Sequence, residues 1–315
     1  MGNLLINGYL WKIILAVVIF LILIYLIWRF RLFFGKKRKE QDLQLPEYIN
    51  DKWFIASDHY QLATLGTITP ETKTILLAVH DIYGKKENFQ ALVNNKQLKP
   101  GTVVITFDQR IIQAKDGTKI QDLGMLINDI NDVLLALSNK YENKKIVLLL
   151  EGYCCFLGQT IIKKNNFIKS LILLNPVTNK KVIKFSIASK IALVWGFFFN
   201  SRLTINVKID YKVFTNNEEY LTAMTKSPKR YYLNQILRFH RRNAYLAKEF
   251  NALQIPTLLI TNTNNRFYQE KELAKIKNPK VEVLLVKEEY QYLFANNLGK
   301  EDKQAIMIKM EQYLK

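Results

Sequence analysis

The chain has 315 residues, of which 49% are hydrophobic, enough for one large or two small domains with a sizeable core. Its 46 Lys and Arg against 27 Asp and Glu give a net charge of +19, which points to a polyanionic neighbour, either nucleic acid or an anionic membrane surface. The two cysteines, Cys154 and Cys155, are adjacent and so poorly placed to staple distant segments, and a reducing compartment fits best.

The first element is residues 13–28, IILAVVIFLILIYLIW, apolar or aromatic at every position. Extended back through Tyr9, Leu10 and Trp11, the run is interrupted only by Lys12, which can snorkel to headgroups. As a helix rising about 1.5 Å per residue it spans a hydrocarbon core of roughly 30 Å. Tyr9, Trp11 and Trp28 sit where interfacial aromatics are favoured. A cleavable signal peptide would have a shorter apolar region ending in small residues, whereas this run ends in WRFRLFFGKKRK. The reading is a transmembrane anchor over residues 1–35 and a basic, polar linker over 36–49. Arg29, Arg31, Lys36, Lys37, Arg38 and Lys39 follow the apolar run and only Lys12 precedes it. The positive-inside tendency then gives a single-pass cell-membrane protein with a cytoplasmic C-terminal domain. Those six basic residues would lie on anionic headgroups at about 1 kcal/mol each. That accounts for part of the positive charge, and no nucleic-acid partner is expected.

Beyond residue 50, strand-like and helix-like segments alternate. Residues 74–79 (TILLAV) form a short apolar run ending at His80-Asp81, residues 87–93 carry helix spacing, and Pro100-Gly101 marks a turn. Residues 103–107 (VVITF) are the next strand, and Ile120, Leu123, Leu126, Ile127, Ile130, Val133, Leu134 and Leu137 make a helical stripe. Residues 146–150, 171–174, 257–260 and 281–286 supply further strands, and 303–313 a closing helix. Continuous apolar strands separated by helices predict an α/β fold with a mostly parallel sheet covered on both faces. Residues 178–250 break the rhythm with helical pieces at 182–199 and 231–250, as a helical cap inserted into a core of 50–177 and 251–315 would. The first cap helix carries Trp195, Phe197, Phe198 and Phe199 with Lys181, Lys184 and Lys190, either packing the cap onto the sheet or facing lipid. The segment SPKRYYLNQILRFHRR in the cap suits an anionic lipid contact at least as well as nucleic acid.

LLAVHDIYGKKENFQALV, VVITFDQRIIQAKDG, IVLLLEGYCCFLG, LILLNP, IPTLLITNTNNRF and EEYQYLFANN follow one another in the order of landmarks in the α/β-hydrolase superfamily, and together they resemble its lysophospholipase and monoacylglycerol-lipase-like branch. The resemblance implies an α/β-hydrolase fold, a serine-hydrolase ancestry and no cofactor or metal. No Walker loop, zinc-ligand spacing or Rossmann fingerprint stands beside it. It also implies where catalytic groups should be, and there this chain departs. Matching LEGYC to the G-x-S-x-G elbow puts Gly152 at the nucleophile. The acid position falls on Asn265, which has no carboxylate, and the base position on Gln291, whose amide cannot take a proton near neutral pH. The three histidines are His59, His80 and His240, none after the last strand; His240 could act only by reaching down from the cap. The oxyanion turn maps to His80, Asp81 and Ile82, with Tyr153 after the elbow glycine. Asp81 stands where the family usually has glycine, so its carboxylate either opposes charge developing in the hole or points to solvent. A shifted reading, Gly152-Tyr153-Cys154-Cys155-Phe156, resembles the cysteine elbow of dienelactone-hydrolase-like proteins and offers Cys154 as nucleophile. The alternative for Cys154 and Cys155 is small residues filling the contact between elbow and helix.

Three functions follow from these residues. The first is a membrane-anchored, catalytically inactive hydrolase-like protein that binds a lipid or acyl ligand or a membrane partner. The second is an active esterase or lysophospholipase-like enzyme, with Cys154 as its candidate nucleophile. The third is an interaction protein whose pocket is filled by side chains. Oligomeric state is open in the sequence.

Overall fold

The computed structural model describes residues 2–34, 43–49, 52–95, 98–110, 123–179, 187–188, 191, 204–206, 210–225, 230–232, 245–296 and 298–315. They fall into two compact units, Met1–Lys37 and Arg38–Lys315. The first is one helix, α1 (Gly2–Phe34), whose stretch Tyr9–Trp28 is long and apolar enough to cross a membrane and is not buried in protein. Arg29 and Arg31 fall within this helix, while Lys36, Lys37, Arg38 and Lys39 lie outside the described residues.

The second unit is built on a nine-stranded sheet. Its strands are β1 (Glu47–Ile49), β2 (Trp53–Ile55), β3 (Gln61–Leu65), β4 (Thr74–Val79), β5 (Thr102–Phe107), β6 (Lys145–Glu151), β7 (Ile168–Leu174), β10 (Thr257–Asn262) and β11 (Val281–Val286). Their order across the sheet is β1-β2-β3-β5-β4-β6-β7-β10-β11. The first three strands and the β3–β5 pair are antiparallel, and every later pair is parallel. Every side chain of β4 and β10 is buried, which is why these strands read as unbroken apolar runs rather than alternating ones. Successive residues face opposite layers. Leu76, Val147, Leu149, Ile172 and Ile260 pack with Ile306 and Met310 of the closing helix, and Ile75, Leu77, Leu148, Leu150 and Leu173 pack with Ile130, Val133 and Leu137.

The helices lie close to where periodicity puts them. A 3-10 turn, Lys86–Phe89, leads into α2 (Gln90–Val93). The long stripe becomes α3 (Leu123–Lys140), with residues 111–122 outside the described residues. A short helix α4 (Gly158–Ile162) follows β6, and α8 (Lys300–Leu314) closes the chain. Within 178–250 the described residues hold an antiparallel pair, β8 (Thr204–Asn206) with β9 (Arg230–Tyr232), and helix α5 (Glu218–Thr225). The helix expected over 231–250 is therefore not continuous. Tyr231 and Tyr232 lie in a strand, in keeping with the preference of aromatic residues for pleated structure, and helix α6 runs over Leu246–Asn251. Trp195, Phe197, Phe198, Phe199, Lys181, Lys184, Lys190 and His240 lie outside the described residues. A short helix α7 (Glu270–Leu273) precedes β11.

Because β5 lies on one side of β4 and β6 on the other, the chain leaves the carboxyl ends of these strands in opposite directions. Such a switch in strand order opens a crevice above the sheet, where ligands of α/β folds bind. The chain places His80-Asp81, Asp108-Gln109-Arg110 and Glu151-Gly152 there.

Candidate functional site

Strand β6 ends at Glu151 and the chain turns at once into a 3-10 helix, Gly152–Leu157, continued by α4. The turn requires a left-handed residue, and Gly152 has φ +59°. Gly158, two turns on, lets the helix press onto β7, since a Cβ there would stand 2.9 Å from the Leu171 side chain. This strand, tight turn and helix is the local geometry of a nucleophile elbow, with Gly152 at its apex.

The volume that a nucleophile's side chain would take is filled by Asp81. A Cβ on Gly152 would lie 2.5 Å from Asp81 Cγ and 2.7 and 2.8 Å from its two carboxylate oxygens. Asp81 follows β4 and is fully buried, so it neither points to solvent nor stands aside. Its Oδ1 accepts the Ile82 N–H at 2.7 Å and the Tyr153 N–H at 2.9 Å. These donors, one from the loop after β4 and one from the residue following the elbow apex, are the pair that forms an oxyanion hole in this architecture. All four oxyanion-turn positions are thus brought together, with the chain's own carboxylate between the two donors.

Below Asp81 lies a second buried acid, Glu151. Its Oε2 accepts Asn88 Nδ2 at 2.7 Å and the Asp81 N–H at 3.2 Å. Burial, reinforced by the charge of Asp81, outweighs these hydrogen bonds and raises the Glu151 carboxyl to about 8. Asn88 Oδ1 in turn accepts the Lys85 N–H at 3.1 Å and the hydroxyl of Tyr220 on α5. One hydrogen-bonded chain therefore runs from the elbow strand to the inserted segment. Neither Glu151 nor Asn88 was singled out in the sequence, although an acid ending the apolar run IVLLL was a usable signal.

His80 is also fully buried and its ring is fixed by partners. The Asp81 carbonyl can only accept, so Nδ1 carries the proton at 2.7 Å from it, and Nε2 accepts the Gln109 N–H at 3.3 Å. Gln109 Nε2 bonds the His80 carbonyl and lies 3.5 Å from Cys154 Sγ. The Cys154 thiol donates to the His80 carbonyl at 3.3 Å, and the Cys155 thiol to the Leu150 carbonyl at 3.2 Å. Both are completely buried. Burial first, then the Asp81 charge for Cys154 and the neighbouring thiol for Cys155, pushes them well above the usual thiol value. They fill the contact between elbow and sheet.

The Phe-Asp-x-Arg landmark braces this arrangement. Asp108 accepts the Lys86 N–H at 3.0 Å and its ammonium at 2.6 Å. Arg110, 4% exposed, bonds Asp58 and Asp129 together at 2.6–2.9 Å, and both pairs raise its already high pKa against the opposing effect of burial. His59 sits in an exposed turn at φ 62°.

The acid and base positions do meet. Asn265 Nδ2 donates to Gln291 Oε1 at 3.0 Å, so two amides make the contact that a carboxylate and an imidazole would make in a triad. The pair is tied down on both sides. Asn265 Oδ1 accepts the Phe267 N–H at 2.8 Å, and Gln291 Nε2 donates to the Asn175 carbonyl at 2.6 Å. Asn175, at φ 44° after β7, returns a bond from Nδ2 to the Gln291 carbonyl at 2.6 Å. Aromatic rings roof the crevice. Tyr83 meets Tyr153 and Phe214 at 5.7 and 6.2 Å, and Phe214 meets Phe267 and Tyr292 at 4.9 Å each. All five are at most 3% exposed. Among the described residues no group of three or more His, Cys, Asp or Glu is placed to hold a metal ion.

No family model and no curated protein matches the chain. Solved structures do. A soluble variant of monoglyceride lipase from Saccharomyces cerevisiae, in complex with a substrate analog, is 17% identical with a TM-score of 0.63, covering 89% of this chain and 97% of that one. A monoacylglycerol lipase from Paleococcus ferrophilus is 16% identical with a TM-score of 0.63, covering 81% and 100%. A putative aryl esterase from Burkholderia cenocepacia is 16% identical with a TM-score of 0.55, covering 84% and 97%. The strand order, the elbow after β6 and these likenesses together give the chain the α/β-hydrolase fold.

Proposed function

We propose that this chain is a hydrolase-fold domain without hydrolase chemistry, tethered to the membrane by α1 with residues 38–315 in the cytoplasm, and that it acts by binding a partner at the bilayer surface. The observation that carries the reading is the Asp81 carboxylate seated between the Ile82 and Tyr153 N–H groups, in the space a nucleophile at position 152 would need. A hole that already holds an anion gives no stabilisation to a second one, and negative charge developing beside a buried carboxylate is opposed. The amide pair Asn265–Gln291 supports the same reading, because neither group takes up a proton near neutral pH. The aromatic roof weighs towards a protein or bilayer-surface partner over an acyl ligand held above the elbow.

The likeness to lipases and esterases favours a second reading, an active esterase working through Cys154. Against it stand the burial of the thiol, its raised pKa and a His80 ring whose acceptor nitrogen is taken by Gln109. The test is hydrolysis of short acyl esters, monoacylglycerols and lysophospholipids by the purified full chain in detergent, beside Cys154→Ala. We expect no turnover above the buffer rate from either protein. Turnover that disappears in Cys154→Ala would overturn the proposal and identify a cysteine hydrolase.

A further inference from the structure

The first strands of the sheet carry a face that the core does not use. Across β1, β2 and β3, Tyr48, Phe54 and Leu62 are opposed in register and turn inward, at 4%, 1% and 0% exposure. The next row, Ile49, Trp53 and Ala63, turns to the opposite face. None of these three joins either layer of the hydrophobic core. The same alternation begins before β1. Leu43, Leu45, Glu47 and Ile49 are exposed, while Pro46 and Tyr48 are buried and Gln44 is half-buried. A strand open to water on one face carries polar side chains there. Here three of the four outward positions are Leu or Ile, with Leu45 72% exposed, and Trp53 stands opposite Ile49 at 40%.

Scattered exposed apolar residues need no explanation, but a contiguous group marks a contact. Its chemistry and its place in the chain select the occupant. Trp favours the boundary between headgroups and acyl chains, where its ring is buried and its indole N–H stays hydrated. Leu43 follows Phe34, the last residue of α1, by only nine positions, a length of chain that reaches about 30 Å at full extension. Lys36, Lys37, Arg38 and Lys39 fall within it and are drawn to anionic headgroups. Lys52, in the turn between β1 and β2, adds an exposed cation next to Trp53. So small a face binds a bilayer weakly from solution. Tethered beside the bilayer, it meets the surface at high effective concentration, an advantage that a freely diffusing protein partner lacks.

We propose that, in a chain anchored by α1 as read above, the face formed by Leu43, Leu45, Ile49 and Trp53 docks on the bilayer interface and sets how the domain lies there. The test uses the full chain reconstituted in vesicles of phosphatidylcholine and phosphatidylserine. One cysteine at a time is introduced and labelled with a fluorophore; Cys154 and Cys155 are buried and stay unlabelled. Lys52→Cys reports on the face, Lys164→Cys on an exposed surface after α4, and Val17→Cys on the anchor. Lipids brominated along the acyl chain quench the labels they touch. We expect several-fold more quenching at position 52 than at 164, with position 17 quenched as well. Leu45→Glu with Ile49→Glu should bring position 52 down to the level of 164, with an unchanged unfolding midpoint. Quenching at 17 with no more at 52 than at 164, or quenching at 52 that survives both glutamates, overturns the docking and leaves the anchor standing. A label at 52 shielded from aqueous iodide yet not quenched by lipid means that protein covers the face, and overturns the docking too. No quenching at 17 overturns the anchor itself.

Discussion

At φ +59° any side chain at position 152 is strained by roughly 1 kcal/mol or more, and its Cβ would also stand 2.5 Å from Asp81 Cγ. Gly152→Ser should therefore lower stability by about 2–4 kcal/mol in urea unfolding, without creating activity. Asp81→Ala removes the clash but leaves the Ile82 and Tyr153 N–H groups without their acceptor, costing about 1–3 kcal/mol for each orphan. Because both substitutions act on one volume, Gly152→Ser should cost at least about 1 kcal/mol less in the Asp81→Ala background, and additive effects would show that the two do not share it. Glu151 gives a prediction in pH. Its folded carboxyl titrates at about 8, above the roughly 4.3 of an unfolded glutamate. The folded state therefore binds the extra proton between those values. The stability Glu151 contributes is full below about pH 4.3 and is lost as pH rises through 8, a few kcal/mol in all. Glu151→Gln imitates the protonated acid and keeps an acceptor for Asn88. It should match the wild type near pH 4 and exceed its stability at pH 8 and above; parallel pH profiles would sink the assignment. At this scale the sequence was legible where order along the chain carries position. Gly152, Asn265 and Gln291 could be found by order along the chain, and the structure brings the last two into contact. The place of Asp81 was not legible, because it depends on a missing Cβ seventy-one residues away and on two backbone donors that leave no mark in residue type.

The central strands were readable because burial on both faces forces uninterrupted apolar runs, as in TILLAV and TLLITN. The three-residue strands β1, β2, β8 and β9, with sequences EYI, WFI, TIN and RYY, were not. They carry too few residues for a period, and their pairing is decided by a partner distant in the chain rather than by local preference. The same limit explains the cap, where Tyr231 and Tyr232 fit a helical stripe on paper and a ribbon in the fold. A junction of elements also depends on single amides. Gln291 joins the segments after β7, β10 and β11 through Asn175 and Asn265. Gln291→Ala removes the acceptor of Asn265 Nδ2 and a donor to the Asn175 carbonyl, both buried. It should cost about 2–4 kcal/mol in urea unfolding, and a loss below about 0.5 kcal/mol would mean that these loops are held by packing alone.

For the whole molecule, the question is what a basic hydrolase-fold domain gains from an apolar helix at its N-terminal end. A span of the length and composition of Tyr9–Trp28 is held in a bilayer by burial of nearly every side chain, whereas a signal sequence is removed after export. The two alternatives separate cleanly. A retained anchor keeps the chain with membranes through alkaline carbonate and high salt, and deletion of residues 1–34 releases it. What binding then remains should rest on Lys36, Lys37, Arg38 and Lys39, at about 1 kcal/mol each near anionic lipid, and should fall as salt shortens the reach of charge. The same residues give a prediction for orientation. With six basic groups after the apolar run and one before it, protease added to the cytoplasmic face of sealed vesicles should digest residues 38–315 and leave α1 protected. Digestion only from the opposite face, or a mature chain that begins after residue 28, would place the domain outside the cytoplasm. The two thiols would then be sheltered from oxidation by their burial at the elbow and not by their compartment.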